Sequence, residues 1–350
     1  GAFFSGLFER SIAPLSIASS TAPLGIDASF SQRLPWPGKL MLDDAAAKDD
    51  ARAAEKDFEK TRRELALAAS VLWDDYFVAV RSIETNQRHV AIGADLKRAA
   101  LAALETGRAS AQDPIAADTE LAHMEHASMM LGAEREVLVA QMNALLHREP
   151  EAPLPQPATL PVSAPIANAE PRPEIEAETI RARAEKTRAA RMRRDWVPDL
   201  TVMTSYDTMF VMPEHRWMVG LGITLPIELG HRAAAADEHE AEAARHDDEA
   251  ASLTDKARTE VAVARTRATE AEHIAALYGE RLVPAARAQL DAAREAFTTS
   301  RNDFTTVLAA ERNLRSVELD AETARAQVDR RRVELNEALG GLACAKAVAR

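Results

Sequence analysis

A single cysteine, Cys344, stands in 350 residues. It leaves no internal disulfide and no Cys-based zinc cluster. Aromatic residues make up only 5% of the chain, although 47% is hydrophobic, much of that alanine. This is thin for a large globular core and ordinary for long helices packed side by side. No run approaches the roughly 18 apolar residues of a transmembrane helix. Basic residues are short as well: 43 Lys and Arg face 55 Asp and Glu, a formal net charge of −12. Nucleic acid, which demands clustered basic side chains, is not an expected partner. A solvated or cation-handling surface is compatible with this balance. A Gly-rich phosphate loop, a nucleophile elbow and HExxH are all missing, so no enzyme and no cofactor are expected. No signal peptide is visible, since Gly1 already lies in the strand-like GAFFSGLF. Such a start suits a cytosolic protein or a chain that begins part-way through a longer precursor.

What is present is an internal repeat. Residues 103–121 align without gaps on 296–314: Ala103, Thr106, Arg108, Ala116, Ala117 and Leu121 recur as Ala296, Thr299, Arg301, Ala309, Ala310 and Leu314. Upstream, Leu34-Pro35 and Gly38 recur as Leu225-Pro226 and Gly230. Each copy reads as a strand, a Pro/Gly corner, a long helix, a turn and a long returning helix. The returning helices carry a three-four spacing, Leu121, Met124, Ser128, Leu131, Arg135, Leu138, Met142 and Leu145, with Leu314, Val317, Ala321, Ala324, Val328, Arg331, Leu335 and Ala338 in register. That spacing argues for coiled-coil packing. The first outgoing helix, from Lys39 to about Leu104, would be roughly 100 Å long. Pro284 lies inside its counterpart, where a kink or break is expected. Between the copies, the proline-dense stretch 149–173 reads as an extended connector, and Pro173-Glu174 opens a shorter helix to about Arg194.

The strand-like runs alternate. In 216–225, Trp217, Val219, Leu221, Ile223 and Leu225 oppose Met218, Gly220, Gly222 and Thr224. In 24–34, Leu24, Ile26, Ala28, Phe30, Gln32 and Leu34 oppose Gly25, Asp27, Ser29, Ser31 and Arg33. Between Asp199 and Asp207, Leu200, Val202, Thr204 and Tyr206 oppose Asp199, Thr201, Met203, Ser205 and Asp207. Bulky apolar residues on one face, with small or polar ones on the other, form the pattern of a transmembrane β-barrel strand. Trp36, Trp196, Tyr206 and Trp217 sit at run ends, where interfacial aromatics lie. Alternation alone also fits hairpins packed on a soluble core. The Ala-rich helices, however, offer no obvious apolar cap. Four strands cannot close a barrel by themselves, so several chains must contribute to one.

The ordered set Phe30-Ser31-Gln32, Leu34-Pro35-Trp36-Pro37-Gly38-Lys39, Asp195-Trp196-Val197-Pro198-Asp199-Leu200, Val219-Gly220-Leu221, Leu225-Pro226-Ile227 and the turns TGRAS and TSRND resembles the TolC-type outer membrane factor family. The resemblance covers essentially the whole chain. It implies an α plus transmembrane β fold, two repeats of β-hairpin and long antiparallel coiled-coil helices, and a homotrimer. Its twelve-stranded β-barrel would lie in outer-membrane lipid and continue as a periplasmic α-barrel. It further implies passive efflux from the periplasm to the outside of a Gram-negative cell, with a periplasmic adaptor and an inner-membrane transporter as partners. The family's N-terminal helices, signal peptide and any lipidated cysteine are missing, so the chain reads as N-terminally incomplete. The alternative is a periplasmic coiled-coil adaptor or scaffold that forms no channel.

These readings divide the chain into a first barrel hairpin (1–38), a first helical hairpin (39–148), a connector with a short helix (149–195), a second barrel hairpin (196–229), a second helical hairpin (230–340) and a tail (341–350). Pro35, Trp36, Pro37 and Gly38, with Pro226 and Gly230, mark the strand-helix corners, where proline ends the ladder and glycine permits the bend. Asp27, Asp199 and Asp207 fall on the lumen side and would bias a pore toward cations. Arg108, Ser110, Arg301 and Asp303 occupy the helix turns, expected farthest from the strands. The resemblance makes these turns candidates for gate or partner docking; capping and turn chemistry is the local alternative. Met209, Met212, His215, His123 and His126 are weak soft-metal candidates. No metal site is assigned, because Met124 is a seam residue, His123 lies on a solvated face and the loop methionines suit a hydrophobic hairpin tip. The PWPGK corner and the Met-rich second hairpin look most like the heavy-metal (Czc/Cus-type) branch, which points to metal cations as cargo. The acidic pairs Asp43-Asp44, Asp49-Asp50, Asp74-Asp75 and Asp247-Asp248 are expected on solvated helix faces.

Overall fold

The computed structural model describes residues 27–157, 159–160, 171–208, 212, 216–224, 229–299 and 301–341. Strand β1 (Asp27–Leu34) leads into helix α1 (Lys39–Glu105), and α2 (Gln112–Leu145) returns. Helix α3 (Pro173–Arg193) and a single 3₁₀ turn precede β2 (Asp199–Asp207) and β3 (Trp217–Thr224). Helix α4 (Leu229–Leu277) then runs out, α5 (Val283–Thr298) continues it, and α6 (Phe304–Ala338) returns. The strand expected ahead of β1, together with Leu225, Pro226 and Cys344, lies outside the described residues.

The chain divides into two compact units. The first combines the strands with residues 39–58 of α1, all of α3 and the start of α4. Its sheet is antiparallel, in the order β1-β2-β3. Its helices meet through buried alanines, among them Ala46, Ala177, Ala184 and Ala243, and are tied together by ion pairs. Arg183 grips Asp49 through two bonds of 2.8 Å. Arg188 pairs with Asp50, Arg181 with Asp57, and Arg193 with Glu240. On α4, His239 meets Glu185 at 2.7 Å and His246 meets Glu178 at 2.6 Å. Asp49 is therefore buried, not solvated. The Arg183 hydrogen bond holds its carboxyl below the usual carboxylate range, against the upward push of desolvation.

The second unit contains the rest of α1 and α4, with α2, α5 and α6. Its apolar core takes Leu96 and Ala100 from α1, Ala117 from α2, Ala286, Leu290 and Ala293 from α5, and Phe304, Val307, Leu308, Ala310 and Leu314 from α6. Five of these eleven are alanines, which let long helices approach closely. The break expected at Pro284 is present. Helix α4 ends in a π turn, Tyr278–Leu282, and α5 opens with Pro284 in its first turn. Proline lacks the N–H an α-helix needs and crowds the carbonyl four residues back, and the wider turn relieves that clash.

Helix α6 is buried on two faces. One is the three-four seam. The other carries Glu311, Glu318, Glu322 and Asp329, all buried, and Arg330 on the same helix pairs with Asp75 of α1. A stripe so polar leaves no trace in a hydrophobic periodicity, so the sequence reading misses it. Asp74, also on α1, is 1% exposed, which corrects its expected place on a solvated face. Burial and the nearby Asp329 charge push its carboxyl up to about 7, while Arg330 pulls the other way.

Candidate functional site

The register decides which strand residues share a face. Leu34, Leu200 and Ile223 lie in one row, and Gln32, Val202 and Leu221 in the next. Phe30, Thr204 and Val219 follow, then Ala28, Tyr206 and Trp217. Directly opposed residues of an antiparallel pair project from the same side, so the branched and aromatic apolar residues of all three strands form one surface. That surface is bare: Val219 is 76% exposed, Leu221 73%, and Trp217 and Ile223 66% each. Tyr206 and Trp217 stack at its end with ring centroids 5.1 Å apart. The opposite rows are Arg33-Thr201-Gly222, Ser31-Met203-Gly220 and Ser29-Ser205-Met218. The two faces match the sequence assignment.

The strand-helix corner is built around Asp199. Its Oδ1 accepts the Trp36 N–H at 3.2 Å and the Lys39 ammonium at 2.8 Å. Its Oδ2 accepts Arg33 through Nε at 3.1 Å and Nη2 at 2.7 Å. Lys39 is almost wholly buried and also donates to the Val197 carbonyl at 2.8 Å, with Asp195 at 3.2 Å. Gly38 takes φ +101°, a conformation rarely open to other residues, and its carbonyl accepts Arg194 at 3.2 Å. Trp36 and Trp196 remain about half exposed. Asp199 is thus matched by Lys39 and Arg33 and brings no unpaired charge to its face of the sheet. Asp27 and Asp207 are register partners. Gly230 opens α4 with open space around it, and Pro226 lies outside the described residues.

The two helix turns are built alike. In the first, the Thr106 hydroxyl bonds back to the Ala102 and Ala103 carbonyls, and Arg108 Nε donates to that hydroxyl at 3.0 Å. In the second, Thr299 bonds back to Glu295 and Ala296, and Arg301 Nε donates to it at 3.0 Å. The Arg108 and Arg301 amides reach the Ala103 and Ala296 carbonyls, each at 2.8 Å. Gly107 sits at φ +69°. Ser110 and Asp303 hold corresponding places before α2 and α6. The Ser110 N–H is capped by Asp113 at 2.8 Å, and the Asp303 carbonyl takes the Thr306 N–H at 3.1 Å. Both turns flank the same apolar core, so both close the same end of the second unit. Arg108, Ser110, Arg301 and Asp303 are all exposed there.

The soft-metal candidates do not converge. His123 and His126 are exposed on α2, and Met212 is exposed on its loop. Met209 and His215 lie outside the described residues. Among the described residues no three His, Cys, Asp or Glu side chains come together as a metal would need. No helix among them is long and apolar enough to cross a membrane.

The chain is similar to several solved structures. It matches CusC with a TM-score of 0.80 at 16% identity, over 93% of this chain and 81% of that one. It matches the outer membrane protein VceC from Vibrio cholerae with 0.79 at 18%, over 93% and 84%. The outer-membrane channel OprN follows with 0.76 at 19%, over 95% and 80%. At such identities the likeness establishes the fold. No curated protein matches the sequence. Residues 168–341, which carry the second hairpin, its corner and its helix turn, match the outer membrane efflux protein family. Residues 168–341 of the chain therefore belong to the outer membrane efflux protein family.

Proposed function

We propose that this chain is the outer-membrane exit duct of a tripartite efflux pump. It would work as a homotrimer, with hairpins from three chains closing one twelve-stranded barrel and the helices continuing it through the periplasm. The observation that carries the reading is the bare apolar sheet face, Trp217 to Ile223, backed by a face of small and polar residues interrupted by Met203 and Met218. A sheet with such faces and open edges suits lipid only when other chains close it.

The repeat supports self-association. Glu311, Glu318, Glu322, Asp329 and Arg330 of α6 line its contact with α1. By the repeat alignment their counterparts on α2 are Asp118, Glu125, Met129, Glu136 and Val137. All five are exposed in the single chain. The partner that completes the repeat is the α4–α5 side of a second copy.

Transport would be passive, powered by an inner-membrane transporter and joined through a periplasmic adaptor that meets the turns at Arg108 and Arg301. Asp27 and Asp207 would favour cations. The corner and the methionine-rich second hairpin make heavy-metal cations the proposed cargo. CusC, whose folding is accompanied by conformational changes and transmembrane channel formation, is among the matched folds. Family membership favours the duct over a periplasmic adaptor or scaffold. Cell fractionation separates the two. The duct requires detergent for extraction from the outer membrane and crosslinks as a trimer. Recovery as a soluble periplasmic species without detergent would overturn it.

A further inference from the structure

Where α6 lies against α1, a buried histidine faces two carboxylates. His89, 1% exposed, meets Glu311 Oε1 through Nδ1 at 2.8 Å and Glu318 Oε2 through Nε2 at 3.3 Å. Glu311 is fully buried, and its second oxygen has no partner. Glu318 also accepts Arg287 of α5 at 3.0 and 2.6 Å, and Arg88 of α1 stands 3.4 Å from it. Arg315, one turn beyond Glu311, is bonded to Glu120 of α2.

A neutral imidazole has one N–H and one lone pair. Two ionised carboxylates on both ring nitrogens need two donors. Glu318 is held ionised: burial raises its carboxyl, but Arg287 and Arg88 bring it below the usual range. The contact is therefore complete only with one proton more than a neutral histidine and two carboxylates carry. That proton sits on the imidazole or on Glu311. His246 makes the contrast. Its Nδ1 meets Glu178, but its Nε2 faces the Arg245 guanidinium at 3.0 Å, so a neutral ring satisfies both sides.

We propose that His89, Glu311 and Glu318 form a proton-binding clasp between α1 and α6. It is closed while the extra proton is bound and weakened when that proton leaves. Without the proton, one of the two carboxylates faces the imidazole lone pair. The clasp joins the outgoing helix of the first repeat to the returning helix of the second, so loss of the proton loosens the contact between repeats. A contact that is complete only with a bound proton stabilises at low pH and loses that stabilisation on the way up. The inference stands on the chain's own contacts and does not rest on the duct reading.

The test compares thermal unfolding of the wild type and Glu311→Gln, followed by helical circular dichroism from pH 5.5 to 8.5. A glutamine amide donates to Nδ1 and leaves the Nε2–H for Glu318, so the variant needs no extra proton. The wild-type Tm should fall relative to Glu311→Gln by about 2 °C or more across this range. Parallel profiles would overturn the proposal. A second readout uses the wild type: its imidazole ¹⁵N spectrum, with the His89 signal identified by its loss in His89→Gln. That signal should move between pH 5.5 and 8.5, and one that stays fixed would equally overturn the clasp.

Discussion

At the scale of single residues, the corner after β1 shows how few side chains set the direction of the chain. Lys39 satisfies Asp199, Asp195 and the Val197 carbonyl from a nearly closed site. Lys39→Met should cost about 3–5 kcal/mol, because it strands Asp199 with one of its two cations gone. The check is the denaturant midpoint of the helical signal, and an unchanged midpoint would mean the bond network at Asp199 is dispensable. Gly38→Ala should cost about 1–2 kcal/mol through its positive φ, since the crowding guanidinium of Arg194 is mobile enough to yield. The Pro-Trp-Pro-Gly corner is legible in sequence because proline and glycine act on their own backbone. The partnership of Lys39 with Asp199 is not, because it joins residues 160 apart with no local signature.

At the scale of elements, alternation and repetition were readable and charge was not. The faces of β1, β2 and β3 follow from period two. The break at Pro284 follows from a missing N–H, and the matched turns follow from Thr-x-Arg. The second buried stripe of α6 escaped because it is made of glutamate and aspartate, residues whose ordinary place is solvent. Two expectations follow. Leu221→Arg should abolish membrane assembly, since arginine on a lipid face costs about 2–4 kcal/mol at mid-bilayer. Gly222→Ser should be tolerated, because its new Cβ finds its nearest neighbour, Thr201, at 3.6 Å. Assembled oligomer in detergent extracts reads both; normal assembly of Leu221→Arg would reverse the faces. The second expectation concerns Asp74. Its folded carboxyl titrates near 7 and its ordinary value is 3.8. The folded state therefore holds the proton longer, and stability drains as pH rises between about 4 and 7. Asp74→Asn should remove that loss and gain roughly 1–3 kcal/mol at pH 8 relative to the wild type. Unfolding curves at pH 5 and pH 8 measure the difference.

At the scale of the whole molecule, the repeat carries the argument furthest. One chain supplies an outgoing and a returning helix from each repeat but completes only the α1–α6 contact, leaving the matching face of α2 exposed. The turns at Arg108 and Arg301 are locked by their own threonines, so losing the guanidinium should disturb the surface they present more than the fold. The pair Arg108→Ala with Arg301→Ala should weaken efflux and leave the trimer intact, read by metal or drug tolerance beside adaptor crosslinking. Loss of crosslinks would assign the turns to docking, loss of tolerance with crosslinks kept would assign them to gating, and wild-type behaviour would leave the arginines as turn chemistry. The central claim is that several copies of this chain enclose one water-filled path through the outer membrane. Single-channel recording of the detergent-extracted oligomer in a planar bilayer tests it most directly. The account predicts discrete, cation-preferring conductance steps that Leu221→Arg abolishes and Gly222→Ser preserves. A membrane-inserted trimer that passes no ions under any voltage or pH from 5.5 to 8.5, with both turn arginines replaced, would contradict it.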